Sequence, residues 1–161
     1  KKFVNFGKIT SGNLDFSKGK NSNIFKLSKV NSKVGFLICY EVIFSSRIIN
    51  GPRPDFLINL TNDAWYGDTY GPVQHLAAAK ARAIEEGIPI IRSANTGISA
   101  IIDSYGRYIK YLELDKEGII DIHIPKPNKK TLFSVLGNIL FLIISIFMLM
   151  LARIIFISKK L

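Results

Sequence analysis

The first half of the chain shows a hydrophobic pattern typical of β-strands. Residues 23–28 (NIFKLS) alternate apolar and polar side chains, which predicts a half-buried strand. Residues 33–40 (KVGFLICY) and 55–60 (DFLINL) form nearly continuous apolar runs, as expected of strands that are covered on both faces. Between them, residues 41–48 (EVIFSSRI) predict a short helix that must end before the following N-G-P-R-P segment.

The pattern then predicts a long helix and a β-meander. Pro72 suits the first turn of a helix that ends at Gly87, and its many alanines would let that helix lie close to a sheet. Further strands are predicted at residues 88–95, 99–104, 107–114 and 118–125. Alternating β and α units followed by a meander predict an α/β domain with a layered sheet core, after a polar loop over residues 1–23.

The pattern changes near the carboxyl terminus, where residues 132–152 contain no charged side chain. A helix of that length spans about 31 Å, which matches the hydrocarbon thickness of a bilayer. A buried core helix is the alternative, but such a helix seldom lacks a polar face. We therefore expect an α/β domain at 1–125, a basic linker at 126–131, a transmembrane helix at 132–157 and a basic tail at 158–161. Basic residues on both flanks of the transmembrane helix leave its orientation in the membrane open.

The charge balance favours a membrane surface over nucleic acid. The net charge is +10, with 22 Lys and Arg against 12 Asp and Glu. The lysines are scattered through residues 1–33 or flank the apolar segment, without a basic stripe or a nucleic-acid-binding motif. Attraction to anionic lipid headgroups accounts for the same charge, and no nucleic-acid partner is expected.

The single cysteine, Cys39, has two interpretations. It excludes an internal disulfide framework and a zinc site built on several thiolates, and we expect no metal or cofactor. A cysteine in an apolar run is often core filling. At the end of a strand that enters a helix, however, it would be accessible, with the helix dipole beside it. The backbone N–H of Tyr40 could then serve as an oxyanion donor, and the Glu41 carboxylate could orient a group or relay a proton.

A second polar cluster, TNDAWYGD at residues 61–68, follows the next predicted buried strand. Ligands collect outside the carboxyl ends of parallel strands, so Cys39 and the loop with Asn62, Asp63 and Trp65 are expected on one rim. A capped turn is the alternative for this loop. The remaining candidates receive structural interpretations. We expect His75 to be a cap or rim contact, Arg92 to be buried with a partner that the pattern does not name, and His123 to face solvent. The charged residues of 80–86 (Lys80, Arg82, Glu85 and Glu86) are expected to form a solvated helix face with local ion pairs.

The ordered motifs resemble the carboxyl-terminal part of the apolipoprotein N-acyltransferase family, within the nitrilase-like carbon–nitrogen hydrolase superfamily. They are ICYE, PDFLINLTNDAWYG, GPVQHLAAAKARAIE, IPIIRSANTGISAIIDSYG and the final apolar span, and the resemblance covers residues 12–157. It implies part of a four-layer α-β-β-α sandwich on membrane helices, in the bacterial inner membrane and facing the periplasm. It also implies that Cys39 takes an acyl chain from a phospholipid as a thioester and passes it to the N-terminal amino group of a diacylglyceryl-cysteine apolipoprotein. Tyr40, Glu41 and Trp65 match family positions, and Asn62 belongs to the same loop motif.

The sequence departs from the family pattern upstream of Cys39. The superfamily triad also uses a glutamate and a lysine, the latter in a segment like K-x-x-L-V-P-F-G-E, and residues 1–33 contain neither that segment nor any glutamate. The chain, which begins at Lys1, is therefore interpreted as a piece of a longer, split or decayed enzyme that needs its upstream part and is inactive alone. A nitrilase- or amidase-type hydrolase and a non-catalytic membrane-anchored remnant are the alternatives.

Overall fold

The computed structural model describes residues 22–158, and within them six strands form one mixed sheet in the order β1-β2-β3-β4-β5-β6. The strands are β1 (Ile24–Leu27), β2 (Ser32–Ile38), β3 (Phe56–Asn62), β4 (Ile90–Asn95), β5 (Ser99–Ile102) and β6 (Tyr108–Leu112). The predicted polar loop lies almost entirely, and the basic tail largely, outside the described residues. The strands predicted from 23 to 114 are confirmed, with ends that differ by a few residues.

The centre of the sheet is parallel. Strands β2, β3 and β4 run in the same direction, with Ile38 opposite Leu60 and Thr61 opposite Ala94. Strands β1, β5 and β6 add to the sheet in antiparallel pairs. The three parallel strands therefore end at one edge of the sheet, where their following loops meet.

Helix α1 (Gly71–Glu86) connects β3 to β4 and packs on one face of the sheet. It begins with a proline in its first turn and ends at Gly87, whose φ of +64° suits a left-handed helix cap. Ala79 and Ala83 are fully buried, so the helix backbone lies close to the sheet, as predicted. The core between α1 and the sheet is apolar and includes Leu37, Leu57, Leu76, Ile90, Ala100 and Ile102. The predicted mixed α/β domain is confirmed.

Two local predictions about helices are wrong. The stretch after β2 is a five-residue 3₁₀ helix, Cys39–Ile43, which is too short to supply the helix dipole expected beside the cysteine. The charged face of α1 is also not fully solvated, because Arg82 and Glu86 are buried. Arg82 Nη1 donates to the carbonyl of Ile43 at 2.9 Å, and Arg82 Nη2 forms a local ion pair with Glu85 Oε1 at 2.6 Å. These two partners compensate the burial of the guanidinium.

The strand predicted at 118–125 is not present. This segment leaves the sheet beside Leu112, which Gly118 adjoins, and reaches the opposite end of the strands. There the Lys126 carbonyl accepts a hydrogen bond from Ser104 Oγ at 3.1 Å, and Ile124 lines a groove with Leu27 and Phe56. The segment alternates apolar and polar residues as predicted, but it pairs with no strand of the described sheet, so its peptide groups do not enter the ladder. His123 is exposed, as predicted.

The apolar carboxyl-terminal segment forms two helices, α2 (Leu132–Leu136) and α3 (Ile139–Ser158). The break falls at Gly137, which has a φ of +55° that a helix interior does not accommodate. In the described part of the chain, one stretch, Ile139–Ile157, is long and apolar enough to cross a membrane, with a mean hydropathy of 2.8 and no burial against the domain.

The linker before α2 is tied to the carboxyl-terminal end of α1. Arg53 Nη2 donates to the carbonyls of Gly87 and Asn128, at 3.2 and 3.1 Å. The hydroxyl of Thr131 donates to the carbonyl of Glu85. These bonds join the linker to the last turn of α1 and to its Gly87 cap, and they attach the apolar helices to the domain.

Candidate functional site

Cys39 occupies a sharp elbow at the carboxyl end of β2. Its φ is +48°, a left-handed conformation that residues other than glycine rarely adopt and that is concentrated at functional sites. Two side chains approach its carbonyl oxygen: His75 Nε2 at 3.2 Å and Asn59 Nδ2 at 3.3 Å. The backbone conformation of the elbow is therefore supported by hydrogen bonds from α1 and from the middle of β3.

The sulfur of Cys39 faces the end of the neighbouring strand. Thr61 Oγ1 lies 3.4 Å from Cys39 Sγ and 3.0 Å from Asp63 Oδ1. A hydroxyl has one hydrogen, so Thr61 donates either to the Asp63 carboxylate or to the sulfur. The thiol and the carboxylate are thus connected through Thr61, and the prediction that Cys39 and the 61–68 loop share one rim is confirmed.

A buried polar network lies behind the elbow. Asp63 Oδ2 accepts a hydrogen bond from Arg92 Nη2 at 2.5 Å, and Asp63 Oδ1 lies 2.9 Å from His75 Nδ1. Arg92 Nη1 donates to Asn59 Oδ1 at 2.5 Å, and Arg92 Nε donates to the Ile98 carbonyl at 3.3 Å. The four polar side chains, Asn59, Asp63, His75 and Arg92, are all buried. The partner that the sequence pattern did not name for Arg92 is therefore Asp63 together with Asn59.

The network sets the ionisation of Asp63. Burial alone would raise the pKa of this carboxyl, but the hydrogen bond with His75, the positive charge of Arg92 and the bonds from Thr61 and Arg92 together lower it. Asp63 therefore carries a negative charge that neutralises Arg92 inside the domain. Within residues 22–158, no group of three or more His, Cys, Asp and Glu side chains is arranged to hold a metal ion.

Tyr40 and Glu41 lie within the elbow itself. The Glu41 carboxylate turns back and accepts a hydrogen bond from the Ile38 N–H at 2.7 Å, which closes the turn around Cys39. The Tyr40 side chain is half exposed, and its ring centroid lies 6.0 Å from that of His75. In this structure Glu41 supports the elbow, and the Tyr40 backbone N–H belongs to the peptide that follows the cysteine.

Asn62 and Trp65 lie farther from the sulfur. Asn62 Oδ1 accepts hydrogen bonds from the Ala64 N–H at 3.2 Å and from Asn95 Nδ2 at 3.1 Å, so it caps its own loop and joins it to the last residue of β4. The Trp65 side chain is 74% exposed, on the surface of the 3₁₀ helix Asp63–Tyr66. The capped-turn interpretation therefore describes Asn62, while Trp65 is presented to the outside.

Residues 7–128 match the family model described as carbon–nitrogen hydrolase. The chain belongs to this family. It is 47% identical to the apolipoprotein N-acyltransferase of Rickettsia bellii over 141 aligned residues. The aligned region covers 86% of this chain and 28% of that protein. It is 42% identical to the apolipoprotein N-acyltransferase of Rickettsia typhi over 152 aligned residues. The aligned region covers 93% of this chain and 30% of that protein. The chain thus spans less than a third of the length of these curated relatives.

A solved structure supports the fold of this carbon–nitrogen hydrolase chain. The carbon–nitrogen hydrolase from Helicobacter pylori G27 superimposes with a TM-score of 0.53 at 16% identity, covering 63% of this chain and 43% of that one. The nitrilase-like α/β fold that the resemblance implied is confirmed. At this identity the comparison bears on the fold alone.

Sequence reasoning missed Asn59 and gave His75 only a cap or rim role, whereas the predicted burial and pairing of Arg92 are confirmed. Asn59 interrupts an apolar strand that was expected to be covered on both faces, and Arg92 interrupts the predicted strand at 88–95. A polar residue within an apolar strand is itself a signal of a buried partner. His75 lies one helical turn before the fully buried Ala79, which places it on the sheet-facing side of α1. These signals identify buried polar residues, but they do not identify which residues meet.

Proposed function

We propose that this chain is the cysteine-bearing part of a membrane acyltransferase. The enzyme would move an acyl chain from a phospholipid, through a thioester on Cys39, to the N-terminal amino group of a diacylglyceryl-cysteine apolipoprotein. The observation that carries the proposal is the placement of Cys39 in a strained elbow, at the carboxyl end of a central strand of a carbon–nitrogen hydrolase fold. The names of the curated relatives supply the N-acyl transfer and the apolipoprotein acceptor, and the family resemblance supplies the phospholipid donor.

The proposed chemistry proceeds in two balanced steps. In the first, the Cys39 sulfur attacks the carbonyl carbon of a phospholipid ester, a C–S bond forms, the ester C–O bond breaks, and the lysophospholipid alcohol leaves with the proton of the thiol. In the second, the acceptor amine attacks the thioester carbonyl carbon, a C–N bond forms, the C–S bond breaks, and a proton of the amine passes to the sulfur and regenerates the thiol. In both steps the carbonyl oxygen becomes negative, and the Tyr40 N–H is the proposed donor to it.

The apolar helix supports a membrane location for this chemistry. Residues Ile139–Ile157 have the length and hydropathy of a membrane span, and the linker bonds attach that helix to α1. A phospholipid donor requires contact with the bilayer, whereas a hydrolase of small amides does not. We therefore propose a location in the bacterial inner membrane. On the family resemblance we propose that the α/β domain faces the periplasm, with Trp65 and Asn62 beside the substrate path.

The rest of the sandwich is proposed to pack on the face of the sheet opposite α1. Side chains alternate along the strands, so Ile38 and Leu60 point away from the buried Leu37 and Asn59. Ile38 and Leu60 lie opposite each other in the register, and they are 56% and 43% exposed. An apolar pair at the catalytic edge of a sheet favours a second layer, which we propose is the upstream part of the enzyme.

The upstream part is also proposed to complete the catalytic machinery. In the described residues, the polar side chain in contact with Cys39 Sγ is that of Thr61, and no described contact brings a lysine to the sulfur. The glutamate and the lysine that the family resemblance implies would come from the upstream part. We accordingly expect this chain alone to be inactive.

The test is mass spectrometry of the protein expressed with its complete coding region and incubated with phosphatidylethanolamine vesicles. We expect a fatty-acyl adduct on Cys39, which disappears when a diacylglyceryl-cysteine peptide is added and that peptide gains an amide-linked acyl chain. Cys39→Ala should abolish adduct and transfer, while Cys39-independent transfer would contradict the proposal. Turnover of small amides without any lipid adduct would favour the nitrilase- or amidase-type alternative, and inertness of the complete protein would favour a non-catalytic remnant.

A further inference from the structure

We infer that His75 is a positioning residue, which orients the oxyanion-donating N–H of Tyr40 through a hydrogen bond to the carbonyl of Cys39. The inference rests on the proposed function, because it assigns a role within acyl transfer. It concerns a residue that does not touch the sulfur and that the sequence pattern identified only as a structural histidine. The contact that carries it is the 3.2 Å distance between His75 Nε2 and the Cys39 carbonyl oxygen.

The geometry of the peptide bond connects this contact to the reaction. The carbonyl of Cys39 and the N–H of Tyr40 belong to one planar unit, and no cis peptide occurs in the described chain. In a trans peptide these two groups point in opposite directions. Asn59 Nδ2 and His75 Nε2 bind the oxygen from the buried side, so the N–H is directed away from the network. It also lies in the first turn of the Cys39–Ile43 helix, where N–H groups have no partner within the helix.

The proton on His75 Nε2 is required by its partner. A carbonyl oxygen only accepts hydrogen bonds, so the contact with Cys39 needs a hydrogen on Nε2. The other ring nitrogen, Nδ1, lies 2.9 Å from Asp63 Oδ1 and 3.2 Å from Arg92 Nη2, so it has a partner whether it donates or accepts. The buried ring is therefore held from both sides, and its orientation is set by the Asp63–Arg92 pair.

The two hydrogen bonds also affect the donor strength of the Tyr40 N–H. Bonds accepted by a peptide carbonyl polarise the peptide, and the N–H at its other end becomes a better donor. An oxyanion needs a donor that is already oriented when negative charge develops, because reorientation during the reaction adds to the barrier. His75 thus contributes to acyl transfer without contact with substrate.

Two reactions of the same sulfur separate this role from general support of the fold. Acylation of Cys39 by p-nitrophenyl butyrate forms a C–S bond, expels p-nitrophenolate and passes through an oxyanion. Alkylation by iodoacetamide displaces iodide from a saturated carbon and forms no oxyanion. A defect in N–H orientation slows the first reaction only, whereas a displaced or buried sulfur slows both.

The experiment measures both rates in the protein expressed with its complete coding region. We expect His75→Ala to slow acylation about 10- to 100-fold, which is less than the loss of about 100- to 1000-fold on removing an oxyanion donor outright, and to leave alkylation unchanged. His75→Gln, which retains an N–H donor, should lie between His75→Ala and the original protein. The matched control is Gln74→Ala, at the adjacent exposed position of α1, which should behave like the original protein.

The contrary outcomes are distinct. Equal slowing of acylation and alkylation, or no slowing of acylation, overturns the inference. If His75→Ala does not fold, His75→Gln must still show the selective loss, and its absence overturns the inference. A protein that reacts with p-nitrophenyl butyrate in a His75-dependent way but takes no acyl chain from phospholipid refutes the proposed function alone. A protein that alkylates but reacts with neither acyl donor overturns both.

Discussion

Arg92 Nη2 lies 2.5 Å from Asp63 Oδ2, and neither side chain is accessible to solvent. This pair joins the end of β3 to the middle of β4, and it fixes the carboxylate against which His75 rests. A buried charge is tolerated only when it is paired and hydrogen-bonded, so each member depends on the other. The pair is therefore the part of the site most sensitive to the loss of a single charge.

Asp63→Asn should strongly destabilise the domain. The substitution removes the counter-charge of Arg92 without removing Arg92, and breaking a buried ion pair in this way typically costs about 3–5 kcal/mol. Urea unfolding in detergent, followed by far-ultraviolet circular dichroism, measures the change. Asp68→Asn, at an exposed position of the same loop, is the control and should change little. A loss for Asp63→Asn no larger than that of the control would contradict this assignment.

The same comparison should depend on pH with a definite sign. The pKa of Asp63 in the folded protein lies below its ordinary value of 3.8. Its carboxylate therefore contributes stability above that ordinary value, and the contribution is lost as the pH falls through the lowered pKa. The difference between the original protein and Asp63→Asn should be large at neutral pH and should shrink in strong acid.

Gly97→Ala should disturb the same pair by a steric route. A Cβ at position 97 would lie 2.3 Å from Asp63 Oδ2, in a buried part of the structure. Either the carboxylate or the turn between β4 and β5 must move, and overpacking of this kind costs about 1–3 kcal/mol. Thermal unfolding compares this variant with Ser93→Ala, at an exposed position of β4. Unchanged stability of Gly97→Ala would show that the turn has more room than the structure indicates.

Glu86→Gln should stabilise the protein at neutral pH. Burial raises the pKa of Glu86 above its ordinary value of 4.5, and the repulsion of Glu85 adds to this, while Arg53 and Arg82 oppose it. For a raised pKa, the favourable contribution is present below the ordinary value and is lost as the pH rises through the folded value. The variant should therefore melt higher than the original protein at pH 7, and the difference should vanish near pH 4.

The control for this prediction is Glu117→Gln, which alters an exposed carboxylate. Melting temperatures of the three proteins across the pH range decide the result. A Glu86→Gln protein that is less stable at neutral pH would mean that attraction to Arg53 outweighs the cost of burial.

Ile146→Arg should weaken the membrane association of the 161-residue chain. Ile146 lies near the middle of the Ile139–Ile157 span, and an arginine at the centre of a membrane helix costs about 2.5–3.5 kcal/mol on insertion scales. Carbonate extraction of membranes should release more of this variant than of Ile146→Leu, which keeps the position apolar. Equal retention of the two variants would count against α3 as a membrane span.

Much of the fold could be predicted because it follows local patterns. The runs at 33–40 and 55–60, Pro72 at the start of α1 and Gly87 at its end all reflect preferences of the residues themselves. The strand expected at 118–125 was wrong for the opposite reason. Its alternation satisfies the local requirement, but a strand also needs a neighbour, and this segment pairs with no strand of the described sheet.

The candidate site, like the fold, could be predicted from the sequence only in part. Cys39 and the 61–68 loop could be placed on one rim, because parallel strands present their carboxyl ends at the same edge. The contacts of His75 with the Cys39 carbonyl and with Asp63 could not be predicted, because they join residues 36 and 12 positions apart through side-chain directions. Those directions depend on how closely α1 packs on the sheet.

The sequence by itself determined the strands of the sheet, the helix that packs on the sheet, the apolar span, the candidate cysteine and the family to which the chain belongs. Each of these depends on residue type and spacing, which act over a few positions. Only the tertiary structure decided that Asp63, His75, Arg92 and Asn59 form one buried network behind Cys39. The physical reason is that buried polar groups must satisfy one another, and which of them meet is settled only when the helix and strands are packed together.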